Sequence, residues 1–190
     1  MTKTRESGMP DQQMWDTFFN PDAILDSLGI KNVTGNIADL GCGYGTFTIP
    51  AARRTKGNVY AIDIEKDMIR ITQEKTKQAS LTNVIAIQRD FIAEGKGLSD
   101  SSCDVVMLFN ILHAEEPVIL LTEAKRILTS GGKVSIIHWI PDPTTPRGPP
   151  LSIRPRPEQC QNWLIEAGFR LEGSVIPLPP YHYGLTGIKL

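Results

Sequence analysis

Residues 36–47 of this 190-residue chain read Asn36-Ile37-Ala38-Asp39-Leu40-Gly41-Cys42-Gly43-Tyr44-Gly45-Thr46-Phe47. An apolar strand runs into three glycines at alternate positions, and a helical stretch follows over residues 45–54. Glycine accepts a positive φ and carries no Cβ, so a ligand can lie against bare backbone at such a turn. A helix starting there would aim its free N–H groups and positive dipole end at the same spot. Pro50 is tolerable in that helix only within its first turn, where the N–H groups have no intrahelical partner. Strand, glycine turn and helix in this order describe a nucleotide-type cradle.

Two details narrow the ligand. The dinucleotide fingerprint is G-x-G-x-x-G; here the third glycine comes one position early, at Gly45, and Thr46 stands in its place. Asp39 lies two residues before the first glycine. A carboxylate there is a poor neighbour for a pyrophosphate and a good one for an ammonium or a sulfonium. No lysine follows the glycines, so the phosphate-loop pattern G-x-x-x-x-G-K-[ST] is absent.

The rest of the chain alternates in the same way. Strands are expected at 37–40, 58–63, 84–88, 104–109 and 133–139, with helices at 65–79 and 116–128 between them. Strand 104–109 is continuously apolar after Asp104, as a strand buried on both faces should be. Such alternation predicts an α/β fold with a mostly parallel sheet covered on both faces. Short helices at 11–19 and 21–28 precede it, the second opened by Pro21 and closed by Gly29; residues 1–35 read as an N-terminal helical cap and 1–8 as frayed. Residues 140–157 hold seven of the fourteen prolines, together with Arg147, Arg154 and Arg156. That stretch reads as a lid or substrate loop. A helix at 158–167, capped by Gly168, and two closing strands at 169–176 and 183–190 complete one domain over 1–190.

Composition excludes several classes. The chain is 41% hydrophobic and 22% charged, with a net charge of −1, so it lacks the basic footprint of a nucleic-acid partner. No apolar run reaches the roughly 18 residues of a membrane span, and the first ten residues lack a signal core. Cys42, Cys103 and Cys160 are far apart, odd in number and without a C-x-x-C. They suggest reduced thiols in a cytoplasmic setting.

Five segments resemble the motifs of one family. Residues 37–45 resemble motif I of the class I S-adenosylmethionine-dependent methyltransferases. Val59-Tyr60-Ala61-Ile62-Asp63-Ile64 is similar to their second motif, Ile87-Gln88-Arg89-Asp90-Phe91 to the third and residues 103–110 to the fourth. Arg126-Ile127-Leu128-Thr129-Ser130-Gly131-Gly132 resembles the turn before the fifth strand. The order and spacing are the family's from residue 37 to 139. The subgroup most like this chain is that of small ubiquinone/menaquinone-biosynthesis-type enzymes (methyltransferase type 11/25 domain). The resemblance implies a Rossmann-like seven-stranded sheet in the order 3-2-1-4-5-7-6, its last strand antiparallel, with helices on both faces. It implies S-adenosylmethionine as cofactor and S-adenosylhomocysteine as product.

The cofactor residues follow. Gly41, Cys42, Gly43 and Gly45 form the turn, with Cys42 filling it. Asp39 acts near the methionine ammonium. Asp63 ends the second strand 22 residues after Gly41, where a carboxylate can accept from both ribose hydroxyls; the structural alternative is a cap for the helix from Glu65. Ile64 and Met68 flank the adenine, and Asp90 and Phe91 meet its amino edge. Trp15, Phe18 or Phe19 of the cap could touch the cofactor. On the acceptor side Asn110, His113, His138, Trp139, Tyr181, His182 and Tyr183 lie at or near strand ends, where open α/β sheets bind ligands. Asn110, His113 and His138 are the catalytic candidates, a histidine being suited to general-base work; Asn110 counts among the cofactor-binding residues as well. Packed or surface histidines are the structural alternative. No metal is required. The expected partner is a small-molecule methyl acceptor, and the chain is expected to act as a monomer or homodimer. Two other readings remain open here: a dinucleotide-dependent oxidoreductase and a catalytically silent cofactor-binding module.

Overall fold

The structure is a computed structural model and describes residues 11–90 and 97–190. Phe91 lies outside the described residues. Five parallel strands form the left part of the sheet: β1 (Ile37–Leu40), β2 (Val59–Asp63), β3 (Val84–Gln88), β4 (Cys103–Phe109) and β5 (Leu128–Trp139). Three more close it: β6 (Phe169–Leu171), β7 (Ile176–Leu178) and β8 (His182–Lys189). The order is β3-β2-β1-β4-β5-β8-β6, with β7 also paired to β8. β8 runs antiparallel to β5, β6 and β7.

The implied order is therefore present with eight strands rather than seven. The expected strand at 169–176 is broken into β6 and β7. Gly173 takes a φ of 72°, a left-handed conformation that an extended strand cannot contain, and the chain resumes pairing three residues later.

Helices cover both faces. α5 (Pro117–Ile127) and α6 (Pro157–Glu166) pack on one. Their Leu120, Leu121, Ala124 and Leu164 join Ala38, Leu40, Val106, Leu108 and Ile136 in one core cluster. α2 (Pro21–Ser27), α3 (Thr48–Ala52) and α4 (Lys66–Gln78) cover the other. There Ile24, Leu25, Phe47 and Ala51 meet Ile37, Val59, Met107 and Ile137. Alternate residues of β2 serve opposite faces, as the period-2 geometry of a strand requires: Val59 and Ala61 face α3 and α4, while Ile62 faces α5.

Local chemistry sets the helix ends. Asn20 Oδ1 accepts from the amide of Ala23 at 3.2 Å and Pro21 opens α2. Gly29, at φ 67°, stops it. Gln159 Oε1 accepts from the amide of Arg156 at the start of α6, and Gly168, at φ 79°, ends that helix. The helix after the glycine turn is shorter than its sequence suggests. α3 has five residues and starts at Thr48 rather than Gly45, because residues 41–47 are used up by the turn itself. α1 (Gln12–Asp16) is shorter than the expected helix at 11–19 and buries no residue.

Candidate active site

The glycine turn leaves β1 with φ values of 80°, 51° and 70° at Gly41, Gly43 and Gly45. Space requires glycine at two of them. A Cβ on Gly41 would come within 2.9 Å of Ile111 Cγ2, and one on Gly45 within 2.9 Å of Thr72 Oγ1. The turn is thus pressed between α4 and the loop after β4.

Four of the turn's amides are engaged inside the protein. Gly41 N and Cys42 N both donate to Ile62 O, at 2.8 and 3.1 Å, and Gly45 N donates to Cys42 O at 2.9 Å. Gly43 N donates to Asp63 Oδ2 at 2.9 Å. A pyrophosphate site needs such amides free. Here they are taken, and the five-residue α3 adds little dipole. Beside the turn stand the carboxylates of Asp39 and Asp63, which suit a ligand carrying positive charge. The expectation of free N–H groups aimed at the ligand is corrected on this point.

Asp39 is 2% exposed and accepts from Thr48 Oγ1 at 2.6 Å. Burial pushes its carboxyl from an ordinary 3.8 up to about 7, against the opposing pull of the Thr48 bond. Near neutrality its charge is therefore poised, and a cation alongside would draw it to the ionised form. Asp63 accepts from two backbone amides, Gly43 N on Oδ2 and Glu65 N on Oδ1, each at 2.9 Å. Burial pushes its carboxyl pKa up too. It holds the glycine turn against the start of α4, so the cap alternative is part of its role. An ionised carboxylate has about four acceptor positions, and two backbone bonds leave capacity for a further donor pair.

Arg89 N donates to Asp63 O at 2.8 Å, which brings the start of the loop with Asp90 beside the end of β2. Ile64 is half-buried and Met68 buried, in the first turn of α4. Asp39, the turn, Asp63, Ile64, Met68 and Asp90 thus belong to one edge of the sheet, at the carboxyl ends of β1, β2 and β3. The Cys42 side chain faces inward, with Sγ 3.9 Å from Thr72 Oγ1; it fills the turn.

The ends of β4, β5 and β8 form a second region. Asn110 takes a left-handed φ of 59°, and its amide donates to Ile137 O at 2.8 Å. Both polar atoms of its side chain are buried without a partner among the described residues. His113 Nδ1 lies 3.4 Å from His138 Nε2. His138 is fully buried, and its Nδ1 also lacks a partner. Burial lowers the basicity of both rings, so they stay neutral at physiological pH. His182 lies on the opposite face, with ring centroids 4.2 Å from Trp139 and 4.5 Å from Phe19. Burial pushes it down to about 3. The cap aromatics pack on this second region: Phe18 on Trp139 and Tyr181, and Phe19 on Phe47 and His182.

Arg154 is 7% exposed and is not a free cation at the mouth of a cleft. Its guanidinium donates to the carbonyls of Ile140, Asp142, Arg147 and Pro149, and to Thr145 Oγ1. It lies 5.9 Å over the Trp139 ring. A segment with so many prolines cannot satisfy its own carbonyls, and one buried arginine does so. An open groove of about 510 Å3 lies on the outer side of α3 and α4, between Gly45 and Thr46 of the turn and Pro21, Ile49, Arg53 and Lys75; it includes neither Asp39 nor Asp63.

A family model described as a methyltransferase domain matches residues 31–144. The chain belongs to the class I S-adenosylmethionine-dependent methyltransferases. A solved S-adenosylmethionine-dependent methyltransferase from Aquifex aeolicus superposes with a TM-score of 0.82 at 26% identity, over 95% of this chain and 94% of that one. The demethylmenaquinone methyltransferase of a Geobacillus strain is 30% identical over 99 residues, 50% of this chain and 42% of that protein. The uncharacterized protein YbxB of Bacillus subtilis is 30% identical over 93 residues, 48% and 45% of the two chains. The chain spans half or less of the length of the curated relatives it matches. Family membership sets aside both the oxidoreductase and the silent-module readings.

Against the motifs of this methyltransferase family, sequence reasoning missed three residues. Thr48 holds Asp39, and Thr72 and Ile111 press on the glycines. Thr48 and Thr72 look like ordinary helix residues. Only the crossing of α3 and α4 over the turn makes them part of the site.

Proposed function

We propose that this methyltransferase moves a methyl group from S-adenosylmethionine to a small-molecule acceptor in the cytoplasm, acting as a monomer or homodimer. When bound, the cofactor supplies a methyl group already activated by its sulfonium. The protein need only hold the partners in line and exclude water. In this reading Asp63 accepts from the ribose hydroxyls, Ile64 and Met68 flank the adenine, and Asp90 meets its edge. Phe91, expected at the same edge, lies outside the described residues. Asp39 draws in the methionine ammonium. Residues 1–35 act as the cap and residues 140–157 as the lid over the acceptor, with the whole chain a single domain. Among the described residues no helix is long and apolar enough to cross a membrane, and the three cysteines are free and buried.

One observation carries the cofactor half. The turn's amides are engaged by Ile62 and Asp63 while two carboxylates stand at the strand ends, which favours a cationic ligand over a pyrophosphate. Thermal unfolding with S-adenosylhomocysteine, S-adenosylmethionine, NADH and ATP in parallel tests it. At 100 times its dissociation constant a ligand adds about 2.7 kcal/mol. A rise of several degrees with the two adenosyl-sulfur compounds alone is expected. An equal rise with NADH would reverse the reading.

A further inference from the structure

The second region carries a chemical bias of its own. Asn110 keeps both side-chain amide atoms buried and unpartnered among the described residues, and it does so from a left-handed backbone. A buried polar atom without a partner costs about 1–3 kcal/mol, so a side chain with two of them fits a site completed by a polar ligand. His113 is three residues further on and half-buried, with the fully buried His138 behind it at 3.4 Å. Asn110 follows Phe109, which is paired with Ile137, and so stands one rung from His138. Between them Ile111 lies against Gly41, which brings this loop into contact with the cofactor turn.

The charges nearby disfavour some acceptors. The groups acting on the His138 ring are His113, His182, the Arg154 guanidinium and the Trp139 backbone, and no carboxylate is among them. An ammonium set against this ring would find no counter-charge in that set. A thiol is a weak donor and a weak acceptor and would leave Asn110 unsatisfied. A hydroxyl both donates and accepts.

Resting on the methyltransferase reading, we propose that the acceptor is an uncharged molecule methylated on a hydroxyl oxygen, with Asn110 holding that oxygen and His113 Nε2 taking its proton. His138 is a positioning residue. His113 Nδ1–H donates to His138 Nε2, and this tautomer leaves the His113 Nε2 lone pair turned to the acceptor. The acceptor oxygen forms its bond to the methyl carbon as the carbon–sulfur bond breaks. The electron pair of the broken bond stays on sulfur, and the hydroxyl proton passes to His113 and then to water.

The test uses the whole chain, labelled with 15N and saturated with S-adenosylhomocysteine, titrated with phenol, aniline or thiophenol. Phenol is expected to move the His113 ring resonance and the Asn110 side-chain amide, and to bind more tightly than the other two. His113→Gln should weaken phenol by about tenfold or more, the loss of one hydrogen bond. His138→Leu should let His113 populate its other tautomer, read directly from the ring 15N shifts. His113 is half-buried, so its variant tests the idea even if the His138 variant fails to fold. No phenol binding, equal binding of aniline, or an unchanged phenol affinity in His113→Gln would overturn the proposal. Failure to bind S-adenosylhomocysteine at all would instead overturn the parent reading, and this one with it.

Discussion

The two halves of the site differ in how completely their polar groups are satisfied. At the ends of β1 and β2, Asp39 has Thr48, Asp63 has Gly43 and Glu65, and Thr72 Oγ1 donates to Gly43 O. At the ends of β4, β5 and β8 the reverse holds. Six buried side-chain polar atoms lack a partner among the described residues, and five belong to Asn110, His138 and His182. The first half is organised before any ligand arrives, and its rigidity is built from backbone bonds. The second half is held in place by apolar packing, around polar atoms that no described residue pairs. Preorganisation of the first kind gives affinity for one fixed cofactor. The second kind leaves room for specificity, because a wrong acceptor leaves buried groups unpaired.

The largest way to break this contrast is at Asp63. Asp63→Ala should weaken S-adenosylhomocysteine binding by about 1.5–3 kcal/mol, as loss of a charge-assisted hydrogen bond does, measured by calorimetry. Because the carboxylate also ties Gly43 to Glu65, the melting temperature should fall as well. An unchanged affinity with an intact fold would return Asp63 to a purely structural role. Next comes Gly45→Ala, which forces a side chain to φ 70° and onto Thr72. It should destabilise the fold by about 1–3 kcal/mol in a denaturant melt. The double variant with Thr72→Ala should recover the steric part and not the backbone part.

A smaller effect sharpens the comparison through pH. Burial pushes the Asp39 carboxyl pKa up to about 7 in the folded chain. A ligand cation favours the ionised carboxylate, so binding releases a proton below pH 7. Affinity for S-adenosylhomocysteine should then be flat above pH 8 and fall about tenfold by pH 6, following the linkage of proton release to binding. Asp39→Asn should abolish the slope. A slope that persists in Asp39→Asn would assign it to another group. The smallest effect on the cofactor half comes from the lid. Arg154→Met removes the donors that serve the carbonyls of residues 140–149 and should speed proteolysis of that segment. It should leave S-adenosylhomocysteine affinity within about twofold, since distant sites act independently. A large loss of cofactor affinity would show that the halves are coupled.

Most of the sheet was legible from alternation alone. β1, β3 and the end of β5 fall where apolar runs and the glycine turn put them. The order of strands came from the family resemblance, because non-local pairing leaves no periodic signal. The split of the last hairpin was hidden for a simple reason. Gly173 in an otherwise strand-like run reads equally as a tolerated glycine or as a break, and only its pairing with β8 decides. The lid arginines show the same limit. Arg147, Arg154 and Arg156 are alike in sequence, yet Arg154 alone is buried among lid carbonyls.

The sequence by itself determined the identity of the cradle. Three glycines at alternate positions, an aspartate two residues before them and another 22 residues on are local statements about backbone freedom and charge, and each can be read where it stands. Tertiary structure alone decided which polar groups are satisfied. Whether an amide is engaged, an imidazole is neutral or an asparagine is unpartnered depends on what the fold brings against it from tens of residues away, and in a buried site that decides which ligand can bind.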